Sequence, residues 1–140
     1  MTESSVIFVD DDPHIRQAIA QTLTLEDLPV SCFEGAPSAL KHINAEYDGV
    51  VLCDYNMPDM NGLEMLDRIR AIDDTIPVII LTGQGDISTA VTAMQQGAYD
   101  FIEKPFDHDE LIELLRHALE KRHLADAWRF AVHAESHGHY

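Results

Sequence analysis

Basic residues are scarce in this chain: nine Lys and Arg stand against 25 Asp and Glu, a formal net charge of -16 over 140 residues. Nucleic acids and anionic membranes are gripped by clustered Lys and Arg, so the balance argues against direct binding of either by these residues. Cysteine is nearly as scarce. Cys32 and Cys53 sit in apolar runs with no disulfide or metal-knot spacing around them, and read as buried reduced thiols in a reducing cytoplasm. No apolar run approaches the roughly 20 residues needed to span a bilayer, and "MTESSVIF" has neither a basic start nor the long apolar stretch of an export signal. The expectation is a soluble, cytoplasmic protein without internal repeats.

What is present is an apolar share of 46%, enough for one real core at about one domain's length. Short runs rich in Val, Ile, Leu and Phe alternate with stretches of helical period, the pattern of parallel strands joined by helical crossovers, which makes the fold class α/β. The strand windows are "SVIFV" (5–9), "PVSCF" (29–33), "GVVLC" (49–53), "PVIILT" (77–82) and "YDFI" (99–102). All but the second are near-continuous apolar runs, as strands covered on both faces should be.

Helical stripes fall between them: Ile15, Ala18, Ile19, Thr22 and Leu23; Leu63, Leu66, Ile69 and Ile72; Ile87, Ala90, Val91 and Met94; and Leu111, Leu114, Leu115, Ala118 and Leu119, each expected to face the sheet. A further helix is expected near "SALKHINAEY". Asp12 before Pro13 reads as an N-cap and first-turn pair, and Gly97 as the residue that closes the helix before it. The last helix is expected to begin near Asp107 and to run past the point where a five-stranded domain is complete. Leu124, Trp128 and Ala131 continue its spacing, so residues 121–140 are either a partner-facing helical extension or a solvated linker and tail. His133, His137 and His139 near that terminus have no acidic or thiol partner in a zinc-like spacing.

In an open parallel sheet, ligands bind beyond the carboxyl ends of the strands. Asp10, Asp11 and Asp12 follow the first strand window, Asp54 the third, Thr82 ends the fourth and Lys104 lies past the fifth. Each has an ordinary explanation alone: Asp12 as a cap, Asp54 in a turn, Thr82 as a strand residue, Lys104 as a solvated loop lysine. Independent caps and loop residues have no reason to converge on one rim, and this set does. Two carboxylates about 4 Å apart repel by roughly 4 kcal/mol at an effective dielectric of 20, so the cluster calls for counter-charge. All-oxygen ligation suits Mg²⁺, which prefers to share its shell with a phosphate. With Mg²⁺ and Lys104 balancing Asp10, Asp11 and Asp54, one carboxylate can act as nucleophile toward phosphorus. Asp54, from the central strand, is that nucleophile.

"FVDDDP", "LCDYNMPDMNG", "VIILTG" and "DFIEKPF", in this order and spacing, resemble the receiver domain of bacterial two-component response regulators. "TGQGD" and "QQGAYDFIEKPF" are most similar to receivers of enhancer-binding transcription activators of the nitrogen-regulation and dicarboxylate-transport type. The resemblance covers about residues 5 to 120 and implies a receiver domain over 1–120 with the extension over 121–140. It implies a flavodoxin-like fold, a five-stranded parallel sheet in the order 2-1-3-4-5 with helices on both faces. It makes Asp54 the phosphoacceptor, Asp11 a direct Mg²⁺ ligand, the backbone carbonyl of Asn56 another, and Asp10 a ligand through water. Thr82 and Lys104 would bind phosphoryl oxygens, and Phe101 would change rotamer in step with Thr82. The implied partners are a sensor histidine kinase, a second copy of the chain through the face of the fourth helix, fifth strand and fifth helix, and ATPase and DNA-binding domains of a longer parent. The sequence itself has no G-x-x-x-x-G-K-[ST] loop and no basic helix-turn-helix.

Two other classes compete. A Mg²⁺-dependent phosphohydrolase of the haloacid-dehalogenase type also uses an aspartyl nucleophile, but needs an acid/base aspartate two residues on, where this chain has Asn56. An interaction module with a dead site would be expected to have lost one of the polar participants, and none is lost.

Overall fold

Five short runs form one parallel sheet: β1 (Val6–Val9), β2 (Val30–Phe33), β3 (Val50–Asp54), β4 (Val78–Thr82) and β5 (Asp100–Glu103), in the order β2-β1-β3-β4-β5. The computed structural model describes residues 5–138, with side chains described to residue 124. The helices are α1 (Pro13–Leu25), α2 (Ala36–Leu40), α3 (Gly62–Ile72), α4 (Ile87–Gln95) and α5 (His108–Gly138). All four strand pairings are parallel, which is the flavodoxin-like, doubly wound arrangement.

The pleat divides the core in two. Ile7, Val9, Val51, Cys53, Val78 and Ile80 point to the side covered by α2 and α3, where Met65, Leu66 and Ile69 are fully buried. Val6, Phe8, Val50, Leu52, Ile79 and Leu81 point the other way, onto Ile19 and Leu23 of α1 and Leu111, Leu115 and Ala118 of α5. Strands covered on both sides have no solvent face to make polar, which is why β1 is apolar throughout and β3 and β4 are apolar up to Asp54 and Thr82 at their ends. Burying each Leu or Ile in these layers contributes about 1.5–3 kcal/mol.

Local chemistry sets the helix ends. Asp12 accepts a hydrogen bond from the His14 N–H at 2.9 Å and Pro13 opens α1. Asn61 and Glu64 form a capping box at α3, each side chain accepting from the other's backbone N–H, at 2.9 and 3.1 Å. Gly97, at φ +102°, closes α4 as expected: the Ala98 N–H reaches the Ala93 carbonyl at 3.0 Å and the Gly97 N–H the Met94 carbonyl at 3.2 Å.

Two helices depart from the sequence expectation. α2 is earlier and shorter than "SALKHINAEY", because Pro37 favours a helix start and Asn44 then accepts from the Glu46 N–H at 2.8 Å, a local turn that competes with helix. In α4 the expected stripe of Ile87, Ala90, Val91 and Met94 faces the sheet only at Ala90. Ala93 faces it as well, while Ile87, Val91 and Met94 lie 73%, 48% and 43% exposed. The side chains of Trp128 and Ala131, expected to extend the α5 stripe, lie outside the described residues, as do those of His133, His137 and His139; Leu124 is exposed.

At the sheet edge opposite the carboxyl ends, Arg122 of α5 is fully buried. Its guanidinium donates to the Tyr47 carbonyl at 2.6 and 3.0 Å, to the Ala45 carbonyl at 3.1 Å and to Thr75 Oγ1 at 2.6 Å, with Asp73 at 3.5 Å. One side chain thus satisfies acceptors in the α2–β3 and α3–β4 loops at once. Arg122→Met keeps the apolar stem and orphans those acceptors. It is expected to destabilise the fold by about 3 kcal/mol, a fall of about 10 °C in Tm by calorimetry, and an unchanged Tm would refute the anchoring role.

Candidate functional site

Because the strands run parallel, residues that end or follow them meet at one edge. Asp10 follows β1, Asp54 ends β3, Thr82 ends β4 and Lys104 follows β5. Asp10, Asp54 and Thr82 are buried and Asp11 is exposed. The Lys104 N–H donates to the Thr82 carbonyl at 2.8 Å, carrying the β4–β5 ladder one step further and aiming the lysine along the rim. Lys104 Nζ lies 3.0 Å from Asp54 Oδ1 and 3.3 Å from Asp10 Oδ2. Carboxylate oxygens of Asp10, Asp11 and Asp54 all lie within 4.8 Å of one another.

The edge is braced from behind. Asp10 Oδ1 accepts from the Asp12 N–H at 2.9 Å, and Arg16 Nη1 donates to the Asp10 carbonyl at 2.8 Å. Behind Asp54 the loop folds back so tightly that a Cβ on Gly62 would come within 2.9 Å of the Asp54 carbonyl oxygen. The Gly62 N–H closes that loop on the Tyr55 carbonyl at 2.9 Å.

Burial and neighbouring charge both act on the ionisation of Asp54 and Lys104. Desolvation raises the Asp54 pKa, and the negative charges of Asp10 and Asp11 add to it, against the hydrogen bond and charge of Lys104. For Lys104, burial acts to lower the pKa, but the Asp54 hydrogen bond and the Asp54 and Asp10 charges outweigh it and hold the ammonium above its ordinary value. An ion pair between two equals would lower the acid and raise the base. Here both rise, because Asp54 loses hydration on burial, the largest effect on it, and also faces the charges of Asp10 and Asp11. Burial pushes the Cys53 thiol far up, helped by the charges of Asp54 and Asp10, so this neighbour of Asp54 stays protonated and is no nucleophile.

The donor set fits a small divalent cation: hard oxygens only, negative charge in excess of the local ammonium, and one member, Asp11, open to solvent. Thr82 Oγ1 has a different lack. Among the described residues it is the one buried side-chain polar atom without a hydrogen-bond partner, an arrangement that costs free energy unless an acceptor or donor arrives. Two further residues named from the sequence are differently exposed. Asn56 is exposed, two positions beyond Asp54, and Phe101 is half-buried against the groove beside α4. Sequence reasoning missed the bracing by Arg16 and Gly62. The "NG" before the α3 stripe was a signal for the glycine, whereas nothing in a lone arginine on α1 announces that it serves a backbone carbonyl six residues away.

An acid with a raised folded-state pKa gives a stability sign. The protonated form's advantage is complete below the ordinary value near 3.8 and is lost as pH rises through the folded-state value. Asp54→Asn, in chelator, is therefore expected to be more stable than the parent at pH 7 by about 1 kcal/mol, a gain of about 3 °C in Tm. The gain should shrink below pH 4; a lower Tm at pH 7 would contradict the electrostatic account.

The model of the "Response regulator receiver domain" family matches residues 6–116. The chain is 48% identical over 120 residues to the C4-dicarboxylate transport transcriptional regulatory protein DctD of Rhizobium meliloti, covering 86% of this chain and 26% of that protein. It is 43% identical over 119 residues to the DNA-binding transcriptional regulator NtrC of Proteus hauseri, covering 85% and 25%. The chain thus spans about a quarter of the length of these two relatives. The crystal structure of the receiver domain of NtrX from Brucella abortus superimposes with a TM-score of 0.77 at 39% identity, over 82% of this chain and 98% of that one. Four strands delivering acids, a hydroxyl and an ammonium to one edge, together with these likenesses, establish that the chain belongs to the response regulator receiver domain family.

Proposed function

We propose that Asp54 accepts a phosphoryl group from a phosphohistidine of a sensor histidine kinase in a Mg²⁺-dependent reaction, and that the modified domain switches a transcription output in a longer parent chain. The observation that carries this reading is the Lys104 ammonium bridging Asp10 and Asp54 on the rim where the Thr82 hydroxyl lies buried and unpartnered.

An Asp54 carboxylate oxygen attacks phosphorus; the O–P bond forms as the N–P bond breaks, and the electron pair stays with the departing imidazole nitrogen. Lys104 stands within ion-pair distance of the attacking carboxylate, ready to neutralise charge gathering on the transferring oxygens. Thr82 offers its hydroxyl to another of those oxygens. Asp11, Asp54 and the Asn56 backbone carbonyl would hold Mg²⁺ directly and Asp10 through water, and the bound ion supplies charge neutralisation to the phosphoryl oxygens. Asn56, an amide two residues past the nucleophile, cannot serve as an acid/base group, which favours one self-limiting phosphorylation over turnover of outside esters.

In this reading residues 1–120 act as the receiver and 121–140 as a helical linker toward ATPase and DNA-binding domains, in the manner of enhancer-binding activators. The chain works in the cytoplasm, and the face of α4, β5 and α5, with Phe101 moving in step with Thr82, pairs with a second copy. Among the described residues no helix is long and apolar enough to cross a membrane.

Incubation with acetyl phosphate and Mg²⁺ should add one phosphoryl group by mass spectrometry. The label should vanish in Asp54→Ala or with chelator, and form about a hundredfold more slowly in Lys104→Ala. An unmodified parent would identify an interaction module instead, and steady release of phosphate from small esters a hydrolase. Sedimentation with and without beryllofluoride reports whether pairing follows modification.

A further inference from the structure

The segment joining β4 to α4 is held unusually lightly. A Cβ added to Gly83 or Gly85 would meet nothing within 4 Å, so both glycines face open space on that side. The Asp86 N–H to the Gly83 carbonyl at 3.1 Å, and the Ile87 N–H to the Gly85 carbonyl at 2.9 Å, are bonds of the segment to itself. Among the described residues one hydrogen bond ties residues 83–85 to the sheet: the Gly85 N–H donates to Glu103 Oε2 at 2.8 Å. Glu103 is the residue opposite Thr82 in the β4–β5 ladder. The same pairing that brings Thr82 to the acid edge therefore brings the Glu103 carboxylate to the loop beginning at the next residue.

The helix after that loop is also lightly seated. α4 gives the body only Ala90 and Ala93, and its larger apolar residues line an open groove of about 410 Å³ bounded by Phe101 and Glu103. Displacing a helix whose buried residues are alanines forfeits little apolar contact compared with one anchored by Leu or Ile. Two polar groups then pull on the loop in opposite senses. The buried Thr82 hydroxyl has no partner and gains one if an acceptor comes to the rim. The exposed Gly85 N–H already has one.

We propose that Glu103 is a positioning residue for Thr82: its carboxylate latches the Gly85 amide and sets the resting position of the β4–α4 loop, so a phosphoryl group on Asp54 draws the loop inward only as that bond opens. This inference rests on the reading of Asp54 as phosphoacceptor. A ligand shifts such an equilibrium only through its differential affinity for the two positions. Weakening the latch therefore tightens binding of anything that prefers the inward one.

The test is titration of the whole 140-residue chain with beryllofluoride in Mg²⁺, followed by amide NMR. Three variants separate the latch from plain charge. Glu103→Asp keeps the charge but is too short to reach Gly85. Glu103→Gln loses the charge and keeps an accepting oxygen. Glu103→Ala loses both. Glu103→Asp and Glu103→Ala are expected to bind beryllofluoride about fivefold more tightly than the parent, with the Gly85 amide proton shifted upfield before any is added, and Glu103→Gln less tightly than either. The latch is overturned if Glu103→Asp binds like the parent while Glu103→Gln and Glu103→Ala tighten equally, since charge would then explain everything. It is overturned as well if the Gly85 resonance ignores all three substitutions. A parent that fails to bind beryllofluoride would sink the phosphoacceptor reading itself, and the Gly85 shift would still report whether the bond exists.

Discussion

Lys104 reaches across the sheet edge to within 3.0 Å of Asp54 and 3.3 Å of Asp10, and most of what this domain can do depends on that reach. Two buried carboxylates side by side repel each other and lose hydration. A single ammonium between them makes the pair tolerable but does not neutralise it, and burial together with the Asp10 charge holds the Asp54 pKa above its ordinary value. The site is thus left wanting positive charge. A fully balanced rim would be more stable and would offer less attraction to a metal ion with a phosphoryl group in tow.

The strand order is what makes this tension local. β1 and β3 are neighbours in the sheet and far apart in sequence, so Asp10 and Asp54 meet without any turn linking them. β4 and β5 add Thr82 and Lys104 from the other side. The central strands β1, β3 and β4 are buried on both faces, so the core, not the site's own unfavourable electrostatics, holds the polar residues in register. The stability of the layers below supports a rim that is destabilising by itself.

Much of this could be read from the chain. The five strands fall within a residue or so of the runs "SVIFV", "PVSCF", "GVVLC", "PVIILT" and "YDFI", and the three buried throughout, β1, β3 and β4, leave the plainest apolar signature. Asp10, Asp54, Thr82 and Lys104 could be placed on one edge because parallel strands share a direction. The α4 stripe held only at Ala90 for a physical reason: period alone does not say which side of a helix faces inward when alanines can do the packing, and Ile87, Val91 and Met94 outranked Ala93 only in size. Gly97 announced its positive φ. Asp27, at φ 59° after α1, did not, since an aspartate can adopt a conformation that usually belongs to glycine. Arg122 was invisible as well: an arginine in a polar stretch of helix reads as solvated, and only the folded loops reveal the carbonyls it satisfies.

That arginine gives α5 a second point of support. From His108 to Arg122 the helix rises about 20 Å, from the rim where its first turn begins to the far side of the sheet, and there the carbonyls of Ala45 and Tyr47 grip it. A rod pinned at one end swivels, whereas a rod pinned at two points has a bearing. The far half of the helix takes its compass heading from the loops at the quiet end of the molecule, so swinging it against the sheet means prising Arg122 loose.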